Sequence, residues 1–142
     1  AVRTLAGRTL QRPAFALAAS GAALLSLAGC GGTTIGGKVL RGEIGRAIII
    51  TDSDPRLAEP GLAGIEVEIS TPVSGRGGRA VLGTGVTDET GAFKINAGPS
   101  KNVPPRVAIR ASAPDEYEVR QSIFRPRAGE KVLLLMRPPK TP

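Results

Sequence analysis

The chain contains no histidine and no tryptophan, and it has one cysteine among its 142 residues. Without histidine, Ser-His-Asp and Cys-His catalysis are excluded, and a zinc site of ordinary composition lacks its ligands. One thiol cannot form an intramolecular disulfide, so the fold must be stable through packing alone. These absences predict a protein that is not an enzyme, has no catalytic residues and binds no metal or cofactor.

Aromatic residues are also scarce, at 3% of the chain, and Tyr117 is the one tyrosine. The lysines and arginines are scattered between acidic residues instead of forming a basic run. Nucleic-acid binding therefore lacks both a stacking platform and a backbone-tracking groove, and we expect no nucleic-acid partner. A glycan site commonly uses Trp or Tyr, so a glycan partner would depend on Tyr117.

The first 29 residues have the three parts of a secretory signal. Arg3, Arg8 and Arg12 make a basic start, residues 14–27 are apolar and uncharged, and small residues follow. The apolar run is about 14 residues long, whereas a helix needs roughly 20 to cross a bilayer. A permanent transmembrane helix is therefore the second interpretation of this segment.

The single cysteine closes this leader. Leu27, Ala28 and Gly29 directly precede Cys30, and this pattern resembles the lipobox of bacterial lipoproteins. The resemblance implies that Cys30 is lipidated, becomes the new N-terminus and anchors an extracytoplasmic protein to the cell membrane. Gly31 follows in place of an aspartate, which favours the outer membrane if the cell has one.

The leader also sets the charge of the remaining chain. Removing the three leader arginines leaves 16 Lys and Arg against 12 Asp and Glu. We expect residues 30–34 to be the lipidated cysteine and a short tether, followed by one domain over residues 35–142. The short tether keeps that domain near the headgroups, where its basic residues can contact anionic lipid.

Hydrophobicity after the tether alternates with a period of two, as in Ile65 to Ser70, and short turn sequences separate the alternating runs. We predict an all-β domain, a single antiparallel β-sandwich of about seven or eight short strands. The predicted strands cover residues 37–40, 47–51, 65–70, 80–87, 92–96, 106–113, 117–124 and 131–136.

Two apolar runs, residues 48–50 and 132–136, break the alternation. Continuous apolarity indicates either burial on both faces or an exposed interface. We favour burial, with the last strand packed on the core by one face and covered by loops or leader-side residues on the other. The alternative is an accessory subunit that docks an envelope enzyme or transporter through Leu133 and Leu135. The sequence does not indicate the role of the insertion at residues 43–59.

A turn motif with the pattern T-D-x-x-G-x-F lies at Thr87, Asp88, Gly91 and Phe93. The carboxylate of Asp88 can accept backbone N–H groups across the turn, and Gly91 can supply a positive φ. We expect Phe93 to re-enter the core as the next strand begins.

Together with residues 37–39, 61–67 and 129–132, this motif resembles the carboxypeptidase regulatory-like family. The resemblance implies a transthyretin-like β-sandwich, a module that accompanies a separate catalytic domain in those enzymes. Hydrolases of the transthyretin-like fold depend on histidines, so that activity is not implied. The expected function is a structural or binding module at the cell envelope, with a membrane, an envelope protein or a glycan as its partner.

The carboxylates have structural explanations. Asp54 followed by Pro55 is a common opening of a turn, which we favour over a calcium site. Glu66 and Glu68 alternate with apolar residues, so we expect both on a solvent face, paired across strands with Arg110 or Arg120.

Overall fold

A computed structural model describes residues 32–73 and 77–139. The predicted leader and the lipobox through Cys30 lie outside the described residues, as does the side chain of Tyr117. The described residues form eight strands and two short 3₁₀ helices. They are β1 (Gly32–Arg41), β2 (Arg46–Thr51), η1 (Pro55–Ala58), β3 (Glu66–Ser70), β4 (Val81–Val86), β5 (Ala92–Pro99), η2 (Ser100–Asn102), β6 (Arg106–Ala113), β7 (Glu116–Phe124) and β8 (Glu130–Met136).

The strands form two four-stranded sheets, which confirms the predicted all-β sandwich. Sheet A has the order β2-β8-β1-β5, and sheet B has the order β4-β3-β6-β7. Most pairs are antiparallel, but β1 and β8 are parallel, with Gly37 opposite Val132 and Arg41 opposite Met136. A parallel pair needs a long crossover connection. Here the crossover contains all the intervening strands, a relation that local sequence patterns do not indicate.

The first strand begins earlier than expected. Gly32 pairs with Pro99 and Thr34 pairs with Asn96, so residues 32–34, which the sequence assigned to the tether, form strand structure in sheet A. Polar Thr33 and Thr34 do not alternate with apolar residues, but threonine fits a half-exposed strand well. Strand β1 therefore includes Gly32, Thr33 and Thr34.

The main core lies between the two sheets and is aliphatic, as the shortage of aromatics predicts. Phe93 is its one aromatic residue among those described. Its largest fully buried side chains are Ile35, Ile69, Ile95, Ile109, Leu134, Met136, Val39, Val67, Val107 and Val132.

A second, smaller cluster covers the outer face of sheet A and explains the two continuous apolar runs. Leu40, Ile50 and Leu133 are buried there, and Leu57 of η1 packs against them. Leu133 has no exposed surface, which confirms that loops cover the last strand. Docking through β8 would therefore have to use the half-buried Leu135.

The two sheets also meet at their edges. At one edge, Gln121 of β7 accepts a hydrogen bond from Ala47 N at 2.8 Å and donates one to Ala47 O at 3.0 Å. At the other, β4 approaches β5 closely, because a Cβ on Gly85 would lie 3.0 Å from Ile95 Cγ1. Strand edges that are bonded or closely packed offer little backbone to another chain.

Among the described ranges, no helix has the length and apolar character needed to span a bilayer.

Candidate functional site

The turn motif lies at one end of the sandwich, where Thr87 connects two loops. Thr87 is buried; its Oγ1 donates to Leu62 O at 2.6 Å and accepts from Ile65 N at 2.9 Å. The hydroxyl thereby satisfies a donor and an acceptor of the chain entering β3. An apolar side chain of the same volume, such as valine, could satisfy neither group.

Asp88 holds the turn between β4 and β5. Its Oδ1 accepts hydrogen bonds from Thr90 N at 2.8 Å, Thr90 Oγ1 at 2.7 Å and Ala92 N at 3.1 Å. These bonds lower the pKa of Asp88 below its ordinary value, and the bond from the Thr90 side chain has the largest effect. Gly91 has φ +83°, and Phe93 is buried in the core. The motif thus has the predicted geometry, and each polar contact is structural.

Gly91 also lies against Gly61 with no room for a side chain. A Cβ on Gly91 would lie 2.6 Å from Gly61 Cα. Gly61 N donates to Thr90 O at 3.0 Å, and Leu62 N donates to Val39 O at 2.9 Å. The loop before β3 is therefore bound to both the turn and β1.

A groove of about 490 Å³ lies between η1 and this turn. Lys38 lies in it, buried under η1, and its Nζ donates to Leu57 O at 2.9 Å. Glu59 and Glu89 line the same groove. Lys38 therefore holds η1 to sheet A.

A second groove, of about 290 Å³, lies on the outer face of sheet B and is lined by three arginines. We call it the arginine groove. Its lining residues are Ser70, Pro72, Val73, Arg79, Ala108, Arg110, Arg120, Gln121 and Ser122.

Strand register brings the arginines of this groove together. Arg110 of β6 is paired with both Glu68 of β3 and Arg120 of β7. Arg79 is in the loop before β4 and lies over Glu68. Residues directly opposite on one face are close enough for their side chains to interact.

The arginines of the groove are only partly neutralised. Arg110 Nη2 and Arg120 Nη2 share Glu118, at 3.1 and 3.2 Å, and Arg79 Nη2 lies 3.2 Å from Glu68 Oε1. Arg110 Nε is buried without a hydrogen-bond partner, and no donor is aligned with Glu68 Oε1. Three guanidinium groups therefore face two carboxylates, and one donor is unused.

The predicted partners of the strand carboxylates need correction. Glu68 is half-buried and pairs with Arg79, whereas Arg110 and Arg120 pair with Glu118. Alternation correctly placed Glu68, Arg110 and Arg120 on one face, but Arg79 comes from a loop with no periodic signal. Loop arginines of this kind can be located only from the structure.

Asp54 is a helix cap. Its Oδ1 accepts from Arg56 N at 2.9 Å, and its carboxylate pairs with the Arg56 guanidinium. That side-chain bond is the main reason why the pKa of Asp54 falls from 3.8 to about 2. Over residues 32–73 and 77–139, no three acidic, His or Cys side chains are grouped as metal ligands would be.

Comparisons with known proteins add no relative. No family model, curated protein or solved structure matches the chain. The resemblance to carboxypeptidase regulatory-like domains therefore stays a prediction, and the predicted lipidation residues Leu27, Ala28, Gly29 and Cys30 lie outside the described ranges.

Proposed function

We propose that the protein is a lipid-anchored, non-enzymatic binding module of the cell envelope. The observation that carries this proposal is the position of Cys30, which follows Leu27-Ala28-Gly29 and lies two positions before the first strand. A lipid on this cysteine would hold the sandwich directly at the membrane. Lipoprotein modification supplies at least two acyl chains, enough for stable anchoring.

The non-enzymatic part of the proposal rests on the chemistry of the side chains. The chain has no histidine. The motif carboxylate Asp88 is occupied by three hydrogen bonds, and Glu118 by two arginines. Carboxylates whose oxygens are engaged in this way hold the turn and the strands together.

The anchor is tested by growing cells with an alkyne fatty acid and measuring label on the purified protein. We expect label on the wild type and none on Cys30→Ala. The double variant Cys30→Ala/Ser122→Cys is the matched control, because it has a thiol at an exposed position and should stay unlabelled. Label retained by Cys30→Ala would contradict the anchor.

Binding, as opposed to a purely structural role, is favoured by the arginine groove. Its surplus guanidinium suits an acidic group, since arginine donates two parallel hydrogen bonds to a carboxylate or phosphate. An acidic peptide would supply the carboxylate, and a phosphorylated ligand would supply the phosphate.

The groove is tested by following the arginine Nε–Hε NMR signals during titration with inorganic phosphate or acetate. We expect the signals of Arg110 and Arg120 to move. Arg41, which pairs with Glu116 elsewhere on the surface, is the internal control. Equal shifts of all three would show general ionic screening and remove the groove as a binding site.

The alternative function, an accessory subunit, is supported by a smaller exposed surface. Ile44 is 69% exposed and lines a shallow groove with Glu43, Arg46 and Leu135. Co-purification of an envelope enzyme or transporter that is lost in Ile44→Asp would favour this alternative.

A further inference from the structure

One end of the sandwich gathers around the first described residue. Gly32 pairs with Pro99 at the end of β5, and Thr33 Oγ1 donates to Ser100 Oγ at 3.2 Å. Arg125 Nη1 donates to Ser100 O at 3.3 Å, which joins the segment after β7 to η2. The chain therefore enters the domain beside η2 and the C-terminal end of β7.

An exposed aromatic residue lies at the same end. Phe124 closes β7 opposite Arg106, and its side chain is 64% exposed although it is one of only three phenylalanines. The Arg106 guanidinium lies 5.0 Å from the ring centroid. Phe124 also lines a groove with Pro105, Arg125 and Arg127. An aromatic ring flanked by basic side chains is typical of segments that lie in a membrane interface.

We define the basic end surface as Lys101, Arg106, Phe124, Arg125 and Arg127. Within the described ranges, none of its four cations forms an ion pair, whereas Arg41, Arg56, Arg79, Arg110 and Arg120 all do. The nearby acid Glu130 accepts from the backbone N of Arg127 at 2.9 Å, and Asp52 bonds through its backbone to Gly129. The surface thus has surplus positive charge.

We infer that the basic end surface contacts an anionic lipid layer, with Phe124 in the interface and the four cations at the headgroups. This inference rests on the proposed lipid anchor and gives the anchored domain an orientation. Cys30 lies two residues before Gly32, a span of at most about 7 Å. Basic residues at that distance from a membrane each add to binding when the lipids are anionic.

The test uses the absence of tryptophan from the chain. Phe124→Trp introduces a single fluorescent reporter into the lipidated full-length protein, reconstituted in phosphatidylcholine vesicles with or without phosphatidylglycerol. With phosphatidylglycerol we expect a blue-shifted emission and quenching by brominated acyl chains. Lys101→Gln/Arg127→Gln should weaken membrane contact by about fivefold per basic residue removed.

Val86→Trp is the matched control, because Val86 is also 64% exposed and lies at the opposite end, one residue before Thr87. Quenching of both reporters to the same degree, or of neither, would overturn the inference. If Phe124→Trp is quenched equally with and without phosphatidylglycerol, the anionic headgroups do not contribute to the contact. If the Phe124→Trp emission responds only to an added acidic protein, the surface binds a protein partner instead.

Fatty-acid labelling of the same preparations separates this inference from the proposed function. A labelled protein with an unquenched Phe124→Trp reporter retains the anchor and refutes the orientation. An unlabelled protein whose reporter is quenched by added anionic vesicles retains the lipid-binding surface and refutes the anchor.

Discussion

Thr87 is a buried hydroxyl residue whose two hydrogen bonds hold the loop before β3. Replacing it by valine keeps the volume but leaves Ile65 N and Leu62 O without this partner. An unsatisfied buried backbone group costs roughly 1 to 3 kcal/mol. We therefore expect Thr87→Val to lower the free energy of unfolding by about 2 to 4 kcal/mol in urea denaturation.

Thr87→Ser is the control for that prediction, because serine retains both hydrogen bonds and loses only a methyl group. Its loss of stability should stay near 1 kcal/mol, the contribution of roughly one buried methyl. Similar losses in the two variants would show that the hydroxyl is not what holds the loop.

Asp54 and Arg56 give a pH-dependent contribution at the start of η1. The pKa of Asp54 is lowered from 3.8 to about 2, chiefly by the Arg56 side chain. Because the carboxyl pKa is lower in the folded protein, Asp54 stabilises the fold at pH values above 3.8. This contribution is lost as the pH falls from 3.8 towards 2. We expect Arg56→Gln to move the NMR titration midpoint of Asp54 back towards 3.8. Arg79→Gln, which removes an arginine elsewhere, should leave the midpoint unchanged.

At the scale of the strands, Gln121 joins the edges of the two sheets. Its amide bonds to both backbone groups of Ala47. We expect Gln121→Met, which keeps the length of the side chain, to speed hydrogen exchange at Ala47 N and to destabilise the fold by about 1 to 2 kcal/mol. Gln121→Glu keeps the acceptor, so the Ala47 amide should stay protected at neutral pH. Fast exchange in both variants would contradict this bond.

The strands themselves were largely predictable, because alternation marks the core-facing residues of strands such as β3, β5 and β6. Residues 106–113 were predicted as a strand and form β6 with the same bounds. The start of β1 was missed because Gly32, Thr33 and Thr34 do not alternate, and they are held instead by pairing with β5. Strand order and the parallel β1–β8 pair depend on contacts distant in sequence, which no local pattern contains.

The two charged surfaces were predictable only in part. The alternation of β6 and β7 places Arg110 and Arg120 on one face, but Arg79 reaches them from a loop. The basic end surface combines η2, the start of β6, and the end of β7 with the segment that follows it, three regions that become neighbours only through folding. Basic residues that are scattered along the sequence are thus brought together in space by the fold.

For the whole molecule, the insertion that contains η1 acts as a cover. Leu57 shields Leu133 and its neighbours on the outer face of sheet A. Leu57→Ala should lower stability by about 1 to 2 kcal/mol, less than for a fully buried leucine. It should also expose an apolar patch, so we expect concentration-dependent self-association in sedimentation experiments. Leu57→Met preserves the volume and is expected to remain monodisperse to the same extent as wild type.

A different consequence follows from the place of β1 inside sheet A, between β8 and β5. If tension on the domain is transmitted through lipid at Cys30, it acts along the axis of β1, across its hydrogen bonds to both neighbours. Bonds loaded in this direction must shear together, whereas bonds at a peeled edge break one after another. If the protein is anchored through Cys30, β1 would thus make the domain mechanically resistant to being pulled from the cell surface.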